Sequence, residues 1–285
     1  MHGLGGLCRL CSFHGDGKCH LMATDQIWDR EQEMCHVGLT LKILKDNVPG
    51  DGSPYHVSFS GGKDSIVLLD LVRLSGVKHA AHMALTTVDP PELLSFVREN
   101  YPGVELHRPK YSMFQLIERK GFPPMRHIPY CCSLLKKYLG KCGVILTGVR
   151  AEESQSRKKL PFVDMYSPKK LIVNPLLHWN EGQVWDWIET HQLKYPSLYD
   201  EGYSRIGCIL CPKQTDGGKQ MDMKRFPKFT TAYKLAFRKM IETRKRKGMG
   251  CDNQFADAET AFAWWSDSSF KVGQVALFPP NHVIG

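Results

Sequence analysis

The segment Tyr55-His56-Val57-Ser58-Phe59-Ser60-Gly61-Gly62-Lys63-Asp64-Ser65 constrains this chain more than any other. An apolar strand passes through paired glycines and a lysine straight into an apolar helix. The glycines let backbone N–H groups approach an anion, the opening helix adds its dipole, and Lys63 adds a full positive charge. Such a cradle belongs at the carboxyl end of a strand in a parallel α/β sheet. The GxxxxGK[ST] phosphate loop does not fit, because it needs glycine at position 57 and Ser or Thr at 64, where Val57 and Asp64 stand.

The rest of the pattern agrees with that sheet. Strand Tyr55–Phe59 precedes a helix from Ser65 to about Leu74, an apolar stretch at Ala80–Val88 and a helix opened by Pro91. The alternation continues with Val104–His107, helices near Met113–Arg119 and Ser133–Leu139, and strand Val144–Gly148. Strands separated by helices predict a parallel sheet sandwiched by helices on both faces. Asn180 predicts an N-cap for a helix whose Val184, Trp185, Trp187 and Ile188 pack in the core. Pro227 predicts a helix ending at Gly248, with Phe229, Tyr233, Phe237 and Met240-Ile241 on one face.

Hydrophobic content is 42% over 285 residues, and no apolar run approaches a membrane span. The first residues include Cys8, Arg9 and Cys11 instead of a charged start followed by an apolar stretch, so a cytoplasmic protein without a membrane is expected. Ten cysteines in a reducing compartment read as metal or cluster ligands more readily than as disulfides. Cys131-Cys132 and Cys208-x-x-Cys211 form one set. Adjacent thiolates crowd a tetrahedral zinc, whereas a cubane offers each cysteine its own iron corner, so [4Fe–4S] is expected, with zinc as the alternative. Cys8, Cys11, Cys19 and Cys35 form a second set suited to a structural zinc; a second cluster and free thiols stay open there.

The formal net charge is +9, and it is concentrated. Between Arg205 and Gly250 thirteen Lys and Arg face three acids, which suits a polyanion. Arg238, Arg244, Lys245, Arg246 and Lys247 are the candidate nucleic-acid contacts, on the polar face and last turn of the helix opened by Pro227. A solvated helix face is the alternative.

Ser60-Gly61-Gly62-Lys63-Asp64-Ser65 resembles the pyrophosphate loop of the ATP-pyrophosphatase (PP-loop) superfamily, whose members split ATP between the α and β phosphates. Over most of residues 50–212 the chain resembles the phosphoadenosine-phosphosulfate reductase family. The carrying segments are Tyr130 to Lys136, Gly148-Val149-Arg150 through Ser154 with Arg157, and Leu198 to Tyr203 running on to Cys211. The resemblance implies that Cys131, Cys132, Cys208 and Cys211 hold a [4Fe–4S] cluster, and that Gly148, Arg150 and Arg157 serve the nucleotide. Asp89 stands where the family has an Asp-Thr-Gly segment at a strand end, but the segment here is shorter and lacks that glycine.

Two departures point away from sulfonucleotide reduction. The lysine and aspartate of the loop are intact where reductases are degenerate, and in place of a Glu-Cys-Gly-x-His nucleophile the chain has Cys251 within Gly-Met-Gly-Cys-Asp-Asn. The resemblance then implies an ATP pyrophosphatase using ATP and Mg²⁺, closest in logic to the subunits of bacterial DNA phosphorothioation (Dnd and Ssp type) and to transfer-RNA thiolases. Lys63, Asp64 and Ser65 would be catalytic, DNA or tRNA the acceptor, and a cysteine desulfurase or other sulfur donor the partner; assembly as a homo-oligomer stays open. A sulfonucleotide reductase, and an ATP-binding subunit associated with nucleic acid, are the alternatives. The expected organisation is a Cys-rich module over 1–48, the PP-loop domain over 49–200, and a cluster-ligand and basic helical region over 201–285.

Overall fold

The computed structural model describes residues 35–136, 143–250 and 255–269. They form two compact units, neither continuous in sequence: one holds 35–84, 91–107 and 143–206, the other 85–90, 108–136, 207–250 and 255–269.

The first unit is built on a six-stranded sheet ordered β3-β2-β1-β4-β6-β5. Strands β1 (Tyr55–Ser58), β2 (His79–Ala84), β3 (Glu105–His107), β4 (Gly143–Leu146) and β6 (Lys170–Val173) run parallel, while β5 (Val163–Ser167) pairs antiparallel with β6 at the edge. This is the expected mostly parallel α/β sheet. Tyr55 and Val57 point into the core, and helix α2 (Lys63–Ser75) buries Ile66, Val67, Leu68, Leu71 and Val72. It packs against α1 (His36–Asp46) and α5 (Glu181–Thr190). Polar ties fix these layers: the Tyr55 hydroxyl donates to the Leu44 carbonyl at 2.7 Å, and the Trp187 indole donates to Asp70 at 2.9 Å. Asn180 caps α5 as predicted, in a reciprocal box with Gln183. Helix α3 (Pro91–Asn100) begins at its proline.

The second unit is helical. Helix α4 (Met113–Lys120), fixed by a capping box of Ser112 with Gln115, packs on the long α7 (Pro227–Arg246), which also contacts α6 (Asp216–Arg225) and α8 (Ala258–Ser266). Tyr233, Phe237, Met240, Phe255 and Trp265 make its core. Among the described residues no helix is long and apolar enough to cross a membrane.

Three expectations need correction. The second strand ends at Ala84, four residues before Val88, because the chain turns there with Thr87 at φ 66° and the Asp89 carboxylate accepting from the Thr86 N–H and hydroxyl, each at 2.7 Å. Asp89 therefore belongs to a turn of the second unit and not to a strand end. Of the helix expected at Ser133–Leu139, the described part is a single wide turn, Cys132–Lys136, and 137–139 lie outside the described residues. The hairpin β5–β6 had no counterpart in the sequence reading.

Candidate active site and cysteine pocket

The glycine turn after β1 has the geometry its sequence demands. Gly61 has φ 74°, and a Cβ there would lie 2.7 Å from Leu93 Cδ1 and 2.9 Å from Val97 Cγ2, so only glycine fits. Gly62 is the N-cap of α2, without a side-chain cap, and its carbonyl accepts from the Ser65 N–H at 3.0 Å and the Ile66 N–H at 3.1 Å. The Ser65 hydroxyl donates to the Gly62 carbonyl at 2.8 Å and accepts from the Ser60 N–H at 3.2 Å, so the two serines staple the loop into shape. Gly148, after β4, lies against this turn; a Cβ on it would stand 3.1 Å from the backbone C and O of Asp64.

Lys63 is 4% exposed. Its Nζ donates to the Ser204 carbonyl at 2.9 Å, meets Glu181 at 3.1 Å, and lies 5.2 Å from the ring centre of Tyr199 and 5.9 Å from that of Trp185. Of the two tryptophans expected in the core, Trp187 is fully buried, whereas Trp185 stands over this lysine. The Lys63 N–H donates to the Tyr199 hydroxyl at 2.9 Å, so a tyrosine oxygen holds the place an anion would take at the helix N-terminus. Burial pushes the Tyr199 hydroxyl well above its ordinary pKa, so it stays neutral and a proton donor.

Arginines complete this site. Buried Arg150 donates through Nε to Asp64 at 2.5 Å and through a terminal nitrogen to Glu152 at 2.7 Å. Arg157 pairs with Glu153. Burial and the neighbouring Arg205 lower the pKa of Arg157, while Asp64 opposes them. Asp64, Arg150 and Arg157 thus lie together beside the loop that carries Lys63. Arg205, Glu181 and Tyr199 join them without having been singled out; the signal available was their place in or near the Leu198–Tyr203 segment and at the first position of α5.

The cysteines form a separate pocket in the second unit. Cys208 and Cys131 are buried, Cys132 and Cys211 half-buried. The knuckle between Cys208 and Cys211 turns through Leu210 at φ 54°, a strained value that Asp222 of α6 supports by accepting the Leu210 N–H at 2.7 Å and the Gln214 amide at 3.0 Å. Gln214 in turn accepts from the Cys211 N–H at 2.9 Å. Hydrogen bonding from Cys132, then burial and the charges of Cys132, Cys208 and Cys211, push the Cys131 thiol up. Burial raises Cys208, with Lys136 opposing; the charges of Cys208, Asp89, Cys211 and Cys132 raise Lys136. The four thiols therefore sense one another, and Lys136 is a cation that senses Cys132, Cys208 and Cys211. Soft donors with mutual repulsion fit a bound iron–sulfur cation cluster.

Other candidates disperse. Cys35 caps α1 by accepting from the Gly38 N–H at 3.3 Å, and Cys8, Cys11, Cys19 and Cys251 lie outside the described residues. On α7 Arg238, Lys245 and Arg246 are exposed, as is Lys247 at its C-cap. Arg244 corrects the expectation of a shared basic face: it is 8% exposed, donates to the carbonyls of Gly121 at 2.8 Å and Gly250 at 3.0 Å, and lies 4.5 Å over the Phe255 ring.

Residues 54–214 match the model of the phosphoadenosine phosphosulfate reductase domain. Curated relatives include adenosine 5'-phosphosulfate reductase 2 of Bacillus subtilis (strain 168), 33% identical over 57% of this chain and 73% of the relative. The adenosine 5'-phosphosulfate reductase of Shouchella clausii (strain KSM-K16) is 33% identical over 63% of this chain and 80% of its own. Among solved structures, the phosphoadenylyl-sulfate (PAPS) reductase of Candida auris has 24% identity and a TM-score of 0.45, covering 59% of this chain and 87% of that one.

Proposed function

The chain belongs to the phosphoadenosine phosphosulfate reductase domain family, an enzyme family of the PP-loop ATP-pyrophosphatase superfamily, and from that premise we propose that it is an ATP pyrophosphatase that adenylates an acceptor for sulfur insertion. The single observation that carries this reading is the complete loop with Lys63 held at its base. An acceptor oxygen attacks the α-phosphorus of ATP, the new P–O bond replaces the bond to the bridging oxygen, and pyrophosphate leaves. Lys63 and the N–H groups of Gly62 and Lys63 stabilise the charge that builds on the departing phosphates. Arg150, oriented by Asp64, and Arg157 with Arg205 clamp the remaining oxygens. Tyr199 yields the Lys63 N–H to phosphate, and the half-exposed Glu152 and Glu181 give up their cations to the incoming anion. ATP would arrive as its Mg²⁺ complex, whose metal would supply further shielding of the triphosphate charge. The acceptor oxygen, now attached to AMP, leaves with it when a sulfur nucleophile attacks.

In this proposal Cys131, Cys132, Cys208 and Cys211 hold a [4Fe–4S] cluster, which when bound supplies an electron or sulfur relay. The acceptor is nucleic acid, as in DNA phosphorothioation of the Dnd and Ssp type or tRNA thiolation, and the sulfur comes from a cysteine desulfurase or similar donor. A second reading, reduction of adenylyl sulfate, draws on the names of the curated relatives. The two readings separate when anaerobic protein is given ATP with Mg²⁺ in one vessel and adenylyl sulfate with a dithiol in another. AMP and pyrophosphate in the first supports the proposal; sulfite in the second with an inert first vessel replaces it by the reductase.

A further inference from the structure

Away from the loop's ion pairs, three side chains of β2 and β3 converge on a single point in the first unit. His82 of β2 stands directly across from Glu105 of β3, and His107 lies one pleat further along on the same face, paired in register with Ala84. His82 Nδ1 is 2.9 Å from His107 Nε2 and 3.3 Å from Glu105 Oε2, and His107 Nε2 is 3.5 Å from Glu105 Oε1. All three ligating groups thus lie within 4.8 Å of one another. His56 of β1 stacks on His82 with ring centres 4.3 Å apart and planes 10° from parallel, which fixes the orientation of the His82 ring.

We propose that His82, Glu105 and His107 form a binding site for a divalent zinc-class cation. A single proton between His82 and His107 satisfies one edge of this triangle, whereas a cation satisfies all three. The spacing agrees: tetrahedral zinc with bonds of about 2.0–2.1 Å separates its ligand atoms by about 3.3–3.4 Å, within the observed range of 2.9–3.5 Å. Two imidazoles and one carboxylate are borderline donors that suit zinc and leave a fourth position for water or substrate. Both histidines sit on hydrogen-bonded strands, so the site is preorganised, and they are half-buried while Glu105 is exposed, so a cation can reach it.

The test compares whole wild-type protein with Glu105→Gln and His107→Ala, each dialysed against Zn²⁺ and separately against Co²⁺. Glu105 is exposed, so Glu105→Gln keeps the test valid if His107→Ala folds poorly. The expected result is one equivalent of Zn²⁺ less in each variant, and a wild-type-minus-variant Co²⁺ spectrum with visible d–d bands but no thiolate charge-transfer band. Equal metal content in wild type and Glu105→Gln overturns the proposal, as does a difference spectrum carrying the thiolate band, because the lost metal would then have come from cysteines.

Discussion

Lys63, Arg150 and Arg157 each meet a carboxylate, whereas in the second unit Lys136 senses the thiols of Cys132, Cys208 and Cys211. The counter-charges around the loop are partly exchangeable: the side chains of Glu152 and Glu181 are 53% and 50% exposed, so an incoming polyanion can replace them. At the cysteines Cys131 and Cys208 are buried beside Tyr233, whose hydroxyl burial pushes far above its ordinary pKa, while Cys132 and Cys211 are half-buried. A region whose cations are partly neutralised by exposed carboxylates is suited to a ligand that comes and goes. A cluster of four neighbouring thiols, two of them buried, is suited to a group installed once and kept.

That contrast is most open to attack through the cysteines. Cys208→Ser is expected to abolish iron binding and brown colour in anaerobically prepared protein, while Lys63→Ala keeps about four irons per chain as a Cys₄-held [4Fe–4S] cluster does. Iron analysis and the visible spectrum of both variants check this. Colourless wild-type protein carrying zinc at these cysteines would break the comparison, and loss of iron in Lys63→Ala would show that the two regions do not act separately.

The next effect concerns a cation that, unlike Lys63, is structural. Arg244→Ala leaves two carbonyls without their charged donor and should destabilise the protein by about 1.5–3 kcal/mol in chemical denaturation. Lys245→Ala with Lys247→Ala, both exposed, should leave stability within about 0.5 kcal/mol. If they contact a phosphate backbone, the pair should flatten the salt dependence of DNA or RNA binding by roughly 0.7–0.9 per contact. Equal stability of Arg244→Ala and wild type would return Arg244 to the basic face.

The smallest effect sharpens the account of the loop. Tyr199→Phe removes the acceptor of the Lys63 N–H and should cost about 0.5–1.5 kcal/mol of stability in the free protein. ATP or pyrophosphate should recover that loss by supplying oxygens to the same N–H, measured as a larger ligand-induced rise in Tm for the variant than for wild type. An equal rise in both would mean that the tyrosine and the phosphate do not compete for this donor.

Much of the first unit was legible in the sequence because its signals are local. The strand at Tyr55–Ser58, the glycine turn, the cap at Asn180 and the helix start at Pro91 act within a few residues, and burial follows their periodicity. Less legible were features decided by distant partners. Edge strand β5 exposes Met165 and Tyr166 and lacks the alternation of a half-buried strand, so only its pairing with β6 defines it. Nothing local tells Trp185 from Trp187; the difference is Lys63, more than a hundred residues earlier. Arg244 was legible and was misread: it follows Phe237 by seven residues and Ile241 by three, which puts it on the apolar face of α7, but its basic neighbours masked that period. The His82–Glu105–His107 triangle needs the β2–β3 register and has no sequence signature of its own.

The account rests on what the loop does to ATP, and the position of the label after turnover of γ-labelled ATP tests it most directly. Wild-type protein with Mg²⁺ should release the label as pyrophosphate and form AMP in equal amount, and Lys63→Ala should reduce that rate by about 10²–10³, the cost of losing one charge-assisted contact to the transition state. Label appearing as orthophosphate with ADP as the product, or a Lys63→Ala rate within about tenfold of wild type, would contradict the assignment of this loop to cleavage between the α and β phosphates.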